Sequence, residues 1–229
     1  MSKRIVVAID GPAGAGKSTI ARGLAGRLGF LFIDTGAMYR ALALWALRTG
    51  TALDDMHRLD QLARQAQIEF GDGNTRVLLN GEDVTGEIRE PRMADAASKV
   101  STVPAVRRAL VELQRKMATE NSVVMEGRDI GTVVFPDAEV KIFLDASPAI
   151  RAQRRLGDLK AKGIEIAPET LEREIEERDR RDRTRAEAPL MQAPDAMYLD
   201  SSTLTIDEVQ EQILAIIRAR MSNGKELIR

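Results

Sequence analysis

The 229-residue chain contains no cysteine. Disulfides, thiolate metal sites and a cysteine nucleophile are therefore excluded. It has one histidine, His57, so no site that needs several imidazoles can be built. An excess of one charge is missing as well: 34 Lys+Arg stand against 35 Asp+Glu, a net charge of -1. Such a balance gives no general attraction to nucleic acid or an anionic membrane, although a local basic cluster can still hold a small anion. Long apolar runs are also lacking. The run at residues 5–9 is too short for a signal-peptide core or a membrane span, and no later stretch is long and apolar enough. The expectation is a soluble, cytoplasmic protein without a nucleic-acid or membrane partner.

Hydrophobic residues nevertheless make up 44% of the chain. At this length they can build one α/β domain with a sizeable core and an inserted subdomain. Residues 5–9 form a β-branched apolar run ended by Asp10-Gly11-Pro12, the pattern of a buried parallel strand. Residues 18–28 follow at helical spacing, with Ile20, Leu24 and Leu28 on one face and Gly29 as a stop. A second strand is predicted at residues 30–33. Helices are predicted at residues 37–48, with Leu42, Trp45 and Ala46 inward, and at residues 54–65.

Near residue 68 the texture changes. Ile68-Glu69-Phe70, a turn through Gly71-Asp72-Gly73-Asn74, and residues 76–84 read as short antiparallel strands forming a small lobe. Helices resume at residues 92–100 and 105–118. Core-type strands are predicted at residues 123–125, 140–144 and 197–199. Residues 150–185 form a charged helical stretch, with Pro168 suited to a first helical position. The last helix is predicted at residues 206–221, followed by a frayed tail. Strand alternating with helix predicts a parallel sheet with helices on both faces.

Gly11-Pro12-Ala13-Gly14-Ala15-Gly16-Lys17-Ser18 meets the phosphate-loop pattern between a predicted strand and a predicted helix. Its backbone N–H groups, with those of Thr19 behind them, curve round phosphate oxygens at a helix N-terminus. Lys17 can reach the β- and γ-phosphates, and the Ser18 hydroxyl can ligate Mg²⁺. The loop therefore implies a nucleoside triphosphate. It does not separate kinases from switches, although the Asn-Lys-x-Asp motif of GTPase switches is absent.

Three further clusters bear on that choice. Asp34-Thr35-Gly36-Ala37-Met38-Tyr39-Arg40 follows the second strand, so it shares the sheet's carboxyl edge with the phosphate loop. Arg40, one helical turn on, can point back at an anion, and Asp34 suits a helix N-cap. Glu126-Gly127-Arg128-Asp129-Ile130-Gly131-Thr132 carries more charge and glycine at a strand end than a turn needs. In residues 177–185, Arg178, Asp182 and Arg185 share a helical face. Such arginines can close over a transferring phosphoryl group. His57 reads as a surface residue.

Together, Ile9-Asp10-Gly11-Pro12 with the phosphate loop, the block from Asp34 to Arg40, the block Gly127-Arg128-Asp129-Ile130-Gly131-Thr132-Val133-Val134-Phe135-Pro136 and the run Arg178-Asp179-Arg180-Arg181-Asp182-Arg183 resemble the bacterial cytidylate kinase family over residues 4–215. The resemblance implies a single P-loop nucleoside-monophosphate-kinase domain over residues 1–229. It implies a five-stranded parallel sheet flanked by helices. An NMP-binding lobe would span about 36–118, with an antiparallel insert at about 68–88, and a short helical lid about 150–188. The implied reaction is in-line transfer of the ATP γ-phosphoryl to CMP, and to dCMP, with Mg²⁺. A monomer is expected, although oligomeric state is not readable from the sequence.

The resemblance also implies roles. Thr35, Arg40 and Arg128 would hold the CMP phosphate. Ser98, Arg107 and Asp129 would read the cytosine. Arg178 and Asp182 would contact the ribose, and Arg185 would help close on the phosphate. Lys17, Asp34, Arg128, Arg178 and Arg185 would form the catalytic set, with Asp34 orienting metal-bound water. The rival expectations are a kinase with a UMP or AMP acceptor and a nucleotide-dependent switch.

Overall fold

The computed structural model describes residues 4–71, 76–161 and 163–226. Five strands, β1 (Val6–Asp10), β2 (Leu31–Asp34), β6 (Val123–Gly127), β7 (Val140–Asp145) and β8 (Met197–Asp200), form one sheet in the order β2-β6-β1-β7-β8. Every pairing in it is parallel. Parallel neighbours need crossover connections, and the helices supply them.

Alternation along the strands divides the interior in two. Val7 and Ile9 of β1, Phe32 of β2, Val124 of β6 and Val140, Ile142 and Leu144 of β7 face one side. They meet Ile20, Leu24 and Ala25 of α1 (Lys17–Leu28) and Val209, Ile213 and Ile217 of α8 (Ile206–Glu226). Ala8, Ile33, Val123 and Met125 face the other side. There they pack with α2 (Thr35–Arg48), α3 (Met56–Gln65), α4 (Arg92–Val100) and α5 (Pro104–Met117). Met125, Leu24, Met38 and Leu110 are fully buried, each contributing roughly 1.5–3 kcal/mol by leaving water.

The insert forms its own antiparallel sheet, β3 (Ile68–Gly71), β4 (Arg76–Leu79) and β5 (Glu82–Asp83). Its buried residues Ile68, Val77 and Leu79 join the same apolar cluster as α2 and α3. The turn predicted at residues 72–74 lies outside the described residues. The charged stretch is two helices, α6 (Pro148–Lys160) and α7 (Pro168–Thr184), with Pro168 at the start of α7. Ala152, Leu159, Leu171 and Ile175 hold this pair together through a small apolar cluster.

Two expectations are corrected. β8 is an exposed edge strand, not a core strand: Met197 and Tyr198 are about half exposed, and its neighbour is β7 alone. The final helix continues past Met221, through Gly224, to Glu226. Trp45 is half-buried against the α2 side. His57 is exposed beside Gln61.

Candidate functional site

The carboxyl ends of β1, β2 and β6 set the site. Gly11 leaves β1 at φ 148°. A Cβ there would stand 1.9 Å from the Leu144 carbonyl oxygen, so only glycine lets the loop pass β7. The loop then turns into α1, where Lys17 is buried and donates from Nζ to the Pro12 carbonyl at 2.7 Å. Burial pulls the Lys17 ammonium down to about 7, and the Arg128 charge adds to this. Neighbouring Glu126 and Asp10 pull the other way.

Glu126, at the end of β6, is buried and accepts a hydrogen bond from the Ser18 hydroxyl. Burial and the nearby Asp34 charge push its carboxyl up. Asp34 caps α2 by accepting from the Ala37 N–H at 2.8 Å, as its position predicted. It also pairs with Arg40 at 3.0 Å. Arg40 thus points back to the sheet edge. Thr35 donates to the Glu126 carbonyl at 2.7 Å. Gly127 permits this crowding, since a Cβ there would lie 2.8 Å from the Thr35 hydroxyl.

Beyond Gly127, Arg128 pairs through Nε with Asp182 of α7 at 2.9 Å. Burial raises the Asp182 carboxyl, yet Arg128 and Arg178 together hold it below the usual carboxylate range. Asp129 accepts from Arg107 of α5 and, at 3.5 Å, from Arg185. Arg107 also donates to the Ser101 carbonyl at 3.3 Å and lies over the Tyr39 ring at 5.7 Å. Among the described residues, the buried Ser98 Oγ, Arg107 Nε and Arg178 Nε have no hydrogen-bond partner. Burial, then the charges of Arg128, Arg40 and Arg155, lower Arg178 to about 10.

These side chains line one cleft of about 810 Å³. Of the residues predicted from sequence, Ala13, Gly14, Gly16, Lys17, Ser18, Thr19, Asp34, Thr35, Arg40, Ser98, Arg107, Arg128, Asp129, Arg178, Asp182 and Arg185 all reach it. Gly11, Pro12 and Ala15 do not line it. They shape the loop instead: Ala15 packs into the α1 side of the core, and Pro12 gives its carbonyl to Lys17.

Sequence reasoning assigned no role to Glu126, Arg151, Arg155 or Asp10, although Glu126 and Asp10 stand in the blocks it singled out. Glu126 and Arg155 line the cleft. Arg151 donates to the Ala13 carbonyl from α6 at 3.1 Å. The signal available for Glu126 was its place at a strand's carboxyl end beside the glycine.

Chemically, the cleft offers cations at one end and a buried carboxylate–guanidinium pair with open donors at the other. A hard cation fits the oxygen donors of Ser18 and Glu126. Among the described residues, no group of three or more His, Asp or Glu could hold a metal. Mg²⁺ here would therefore take its other ligands from phosphate and water, as it commonly does.

The family model described as Cytidylate kinase matches residues 7–219. A cytidylate kinase of Solibacter usitatus is 61% identical over 226 residues, covering 98% of this chain and 97% of that protein. One of Pelotomaculum thermopropionicum is 55% identical over 216 residues, covering 93% and 96%. Among solved structures, a gluconokinase from Sinorhizobium meliloti superposes with a TM-score of 0.50 at 14% identity, covering 98% of this chain and 99% of that one. That likeness concerns the fold alone.

Proposed function

The chain belongs to the cytidylate kinase family, a phosphotransferase making CDP from CMP and ATP, and we propose that it does so by direct in-line transfer in the cleft just described. The observation that carries the site reading is the buried Arg107–Asp129 pair with the open Ser98 Oγ and Arg107 Nε beside it. Cytosine presents an exocyclic amine, which suits a carboxylate, and O2 and N3 acceptors, which suit a guanidinium and a hydroxyl. Uracil turns a carbonyl toward the same carboxylate and is penalised.

In this reading Thr35, Arg40 and Arg128 hold the CMP phosphate, and Arg178 and Asp182 face the ribose. A CMP phosphate oxygen attacks the γ-phosphorus as the bond to the β-phosphate oxygen breaks, leaving ADP. The attacking oxygen is already anionic, so no strong base is required, and positioning with charge neutralisation supplies the catalysis. Lys17 stabilises the β–γ bridge, while Arg178 of α7 and Arg185, the residue that caps its C-terminus, neutralise the moving phosphoryl. Ser18 would hold Mg²⁺, which adds positive charge to the phosphates, and Asp34 would orient its water. The charged helices α6 and α7 act as the lid, and residues 36–118 as the NMP-binding lobe. The protein acts as a monomer in the cytoplasm.

dCMP is included as an acceptor because Asp182 already has Arg128 and Arg185 beside it and does not depend on a 2′-hydroxyl. The test is ADP release with CMP, dCMP, UMP and AMP. CMP should give the highest kcat/KM. A higher value for AMP or UMP overturns the reading.

A further inference from the structure

Asp10 is buried at the end of β1, opposite Gly127 of β6. Its Oδ1 accepts from the Ile130 N–H at 2.8 Å and its Oδ2 from the Gly131 N–H at 2.7 Å. Those two residues open a π-helical turn, Ile130–Val134, whose capping residue is Asp129. At the other end of the turn, Arg115 of α5 donates to the Val134 carbonyl at 2.9 Å and the Val133 carbonyl at 2.7 Å. A carboxylate thus sits at the N–H end of the turn and a guanidinium at its carbonyl end, each opposite the partial charge it favours.

The turn is also fixed from within and from the side. The Val133 and Val134 N–H groups donate to the Asp129 carbonyl at 2.9 and 3.1 Å. A Cβ on Gly131 would lie 3.1 Å from the Lys141 stem and 3.4 Å from Asp10 Oδ2. Lys141 in turn is held by Asp195 at 2.8 Å. Single π-helical turns recur at functional sites, and here the residue before the turn is the one that faces Arg107.

We propose that Asp10 and Arg115 are positioning residues for acceptor specificity: by clamping the two ends of the Ile130–Val134 turn they set the Asp129 carboxylate against Arg107. Asp10 lies one residue before the phosphate loop, yet its hydrogen bonds lead to the base-reading end of the cleft. The inference rests on Asp129 reading the base. A residue that merely satisfied two buried N–H groups would affect stability alone. A positioning residue changes the acceptor terms selectively, because small displacements of a recognition group are costly.

The test is kinetic, with Asp10→Asn, Arg115→Ala, Asp129→Ala and the double variant Asp10→Asn/Asp129→Ala. Asp10→Asn keeps size but turns an amide N–H₂ toward a backbone donor. It should raise KM for CMP about tenfold, leave KM for ATP within about twofold, and narrow the CMP/UMP preference. Arg115→Ala should act in the same direction and more weakly; it supplies the test should Asp10→Asn fail to fold. In the double variant the loss of preference should be no greater than in Asp129→Ala. If Asp129→Ala leaves the CMP/UMP preference unchanged, the base-reading role fails and this inference with it. If Asp129→Ala narrows the preference while Arg115→Ala and folded Asp10→Asn do not, the positioning role alone is overturned. It is also overturned if Asp10→Asn raises KM for ATP instead.

Discussion

Arg151 and Asp179 form a buried ion pair at 2.7 Å, and the Arg151 guanidinium also donates to the Ala13 carbonyl in the phosphate loop and the Ala146 carbonyl at the end of β7. The arginine is a brace between the phosphate loop and α7, the helix that carries Arg178 and Asp182. Its side chain is 4% exposed and that of Asp179 12%. Asp179→Ala therefore strands a buried cation and should cost about 3–5 kcal/mol. Arg151→Met combined with Asp179→Leu removes both charges and should cost clearly less. Urea unfolding of the two proteins checks this; equal losses would show that the pair is not the brace.

Gly11→Ala places a methyl group against the Leu144 backbone, which cannot rotate away. The loop or β7 must shift, at a cost on the order of 3 kcal/mol. The expected result is a lower melting temperature together with weakened ATP binding, followed by thermal unfolding and nucleotide titration. An unchanged protein would mean that the loop reaches the phosphates by another path.

Lys17→Met should lower turnover by about two or more orders of magnitude, the scale for removing a preorganised charge from a transferring group. The fold should survive, since burial already disfavours the Lys17 charge. Steady-state rates and the melting curve separate the two effects. Near-normal turnover would remove Lys17 from the mechanism.

Asp10 gives a pH dependence of stability. Burial pushes its carboxyl from 3.8 up to about 6, against the Gly131 and Ile130 N–H groups and the Lys17 charge, with Asp129 adding to the rise. The folded state thus holds this proton more tightly than the unfolded chain. The resulting stabilisation is fully present below about pH 4 and is lost as pH rises through about 6. Relative to Asp10→Asn, the native protein should lose up to roughly 3 kcal/mol of unfolding free energy between pH 4 and pH 7. Paired denaturation curves across that range test it; a constant difference would refute the raised pKa.

Local pattern carried much of this architecture. The strand of residues 5–9, the glycines after it and the helix behind it are contiguous, so period and spacing identify them. The Gly29 stop and the Asp34 cap are also settled within a few residues. Asp10 and Arg151 were illegible for the opposite reason. Their partners lie 120 and 138 residues away, and no local period encodes such a bond. Arg151 was further masked by the charged stretch around it, which reads as a solvated face. The apolar run around Tyr198 resembled a buried strand because sequence does not say which strand ends a sheet.

The central sheet separates two interiors. The side chains behind the phosphate loop, Val7, Ile9, Leu24 and Ile213, belong to one, and those behind the acceptor residues, Ala8, Met38, Met93 and Leu110, to the other. Neighbouring residues of a single strand, Val7 and Ala8, look into different halves. Side chains in one half can therefore be repacked without disturbing the apolar contacts of the other. The insulation is apolar only: at the sheet's carboxyl edge, polar links such as Asp10 to the Ile130 and Gly131 N–H groups still join the two halves.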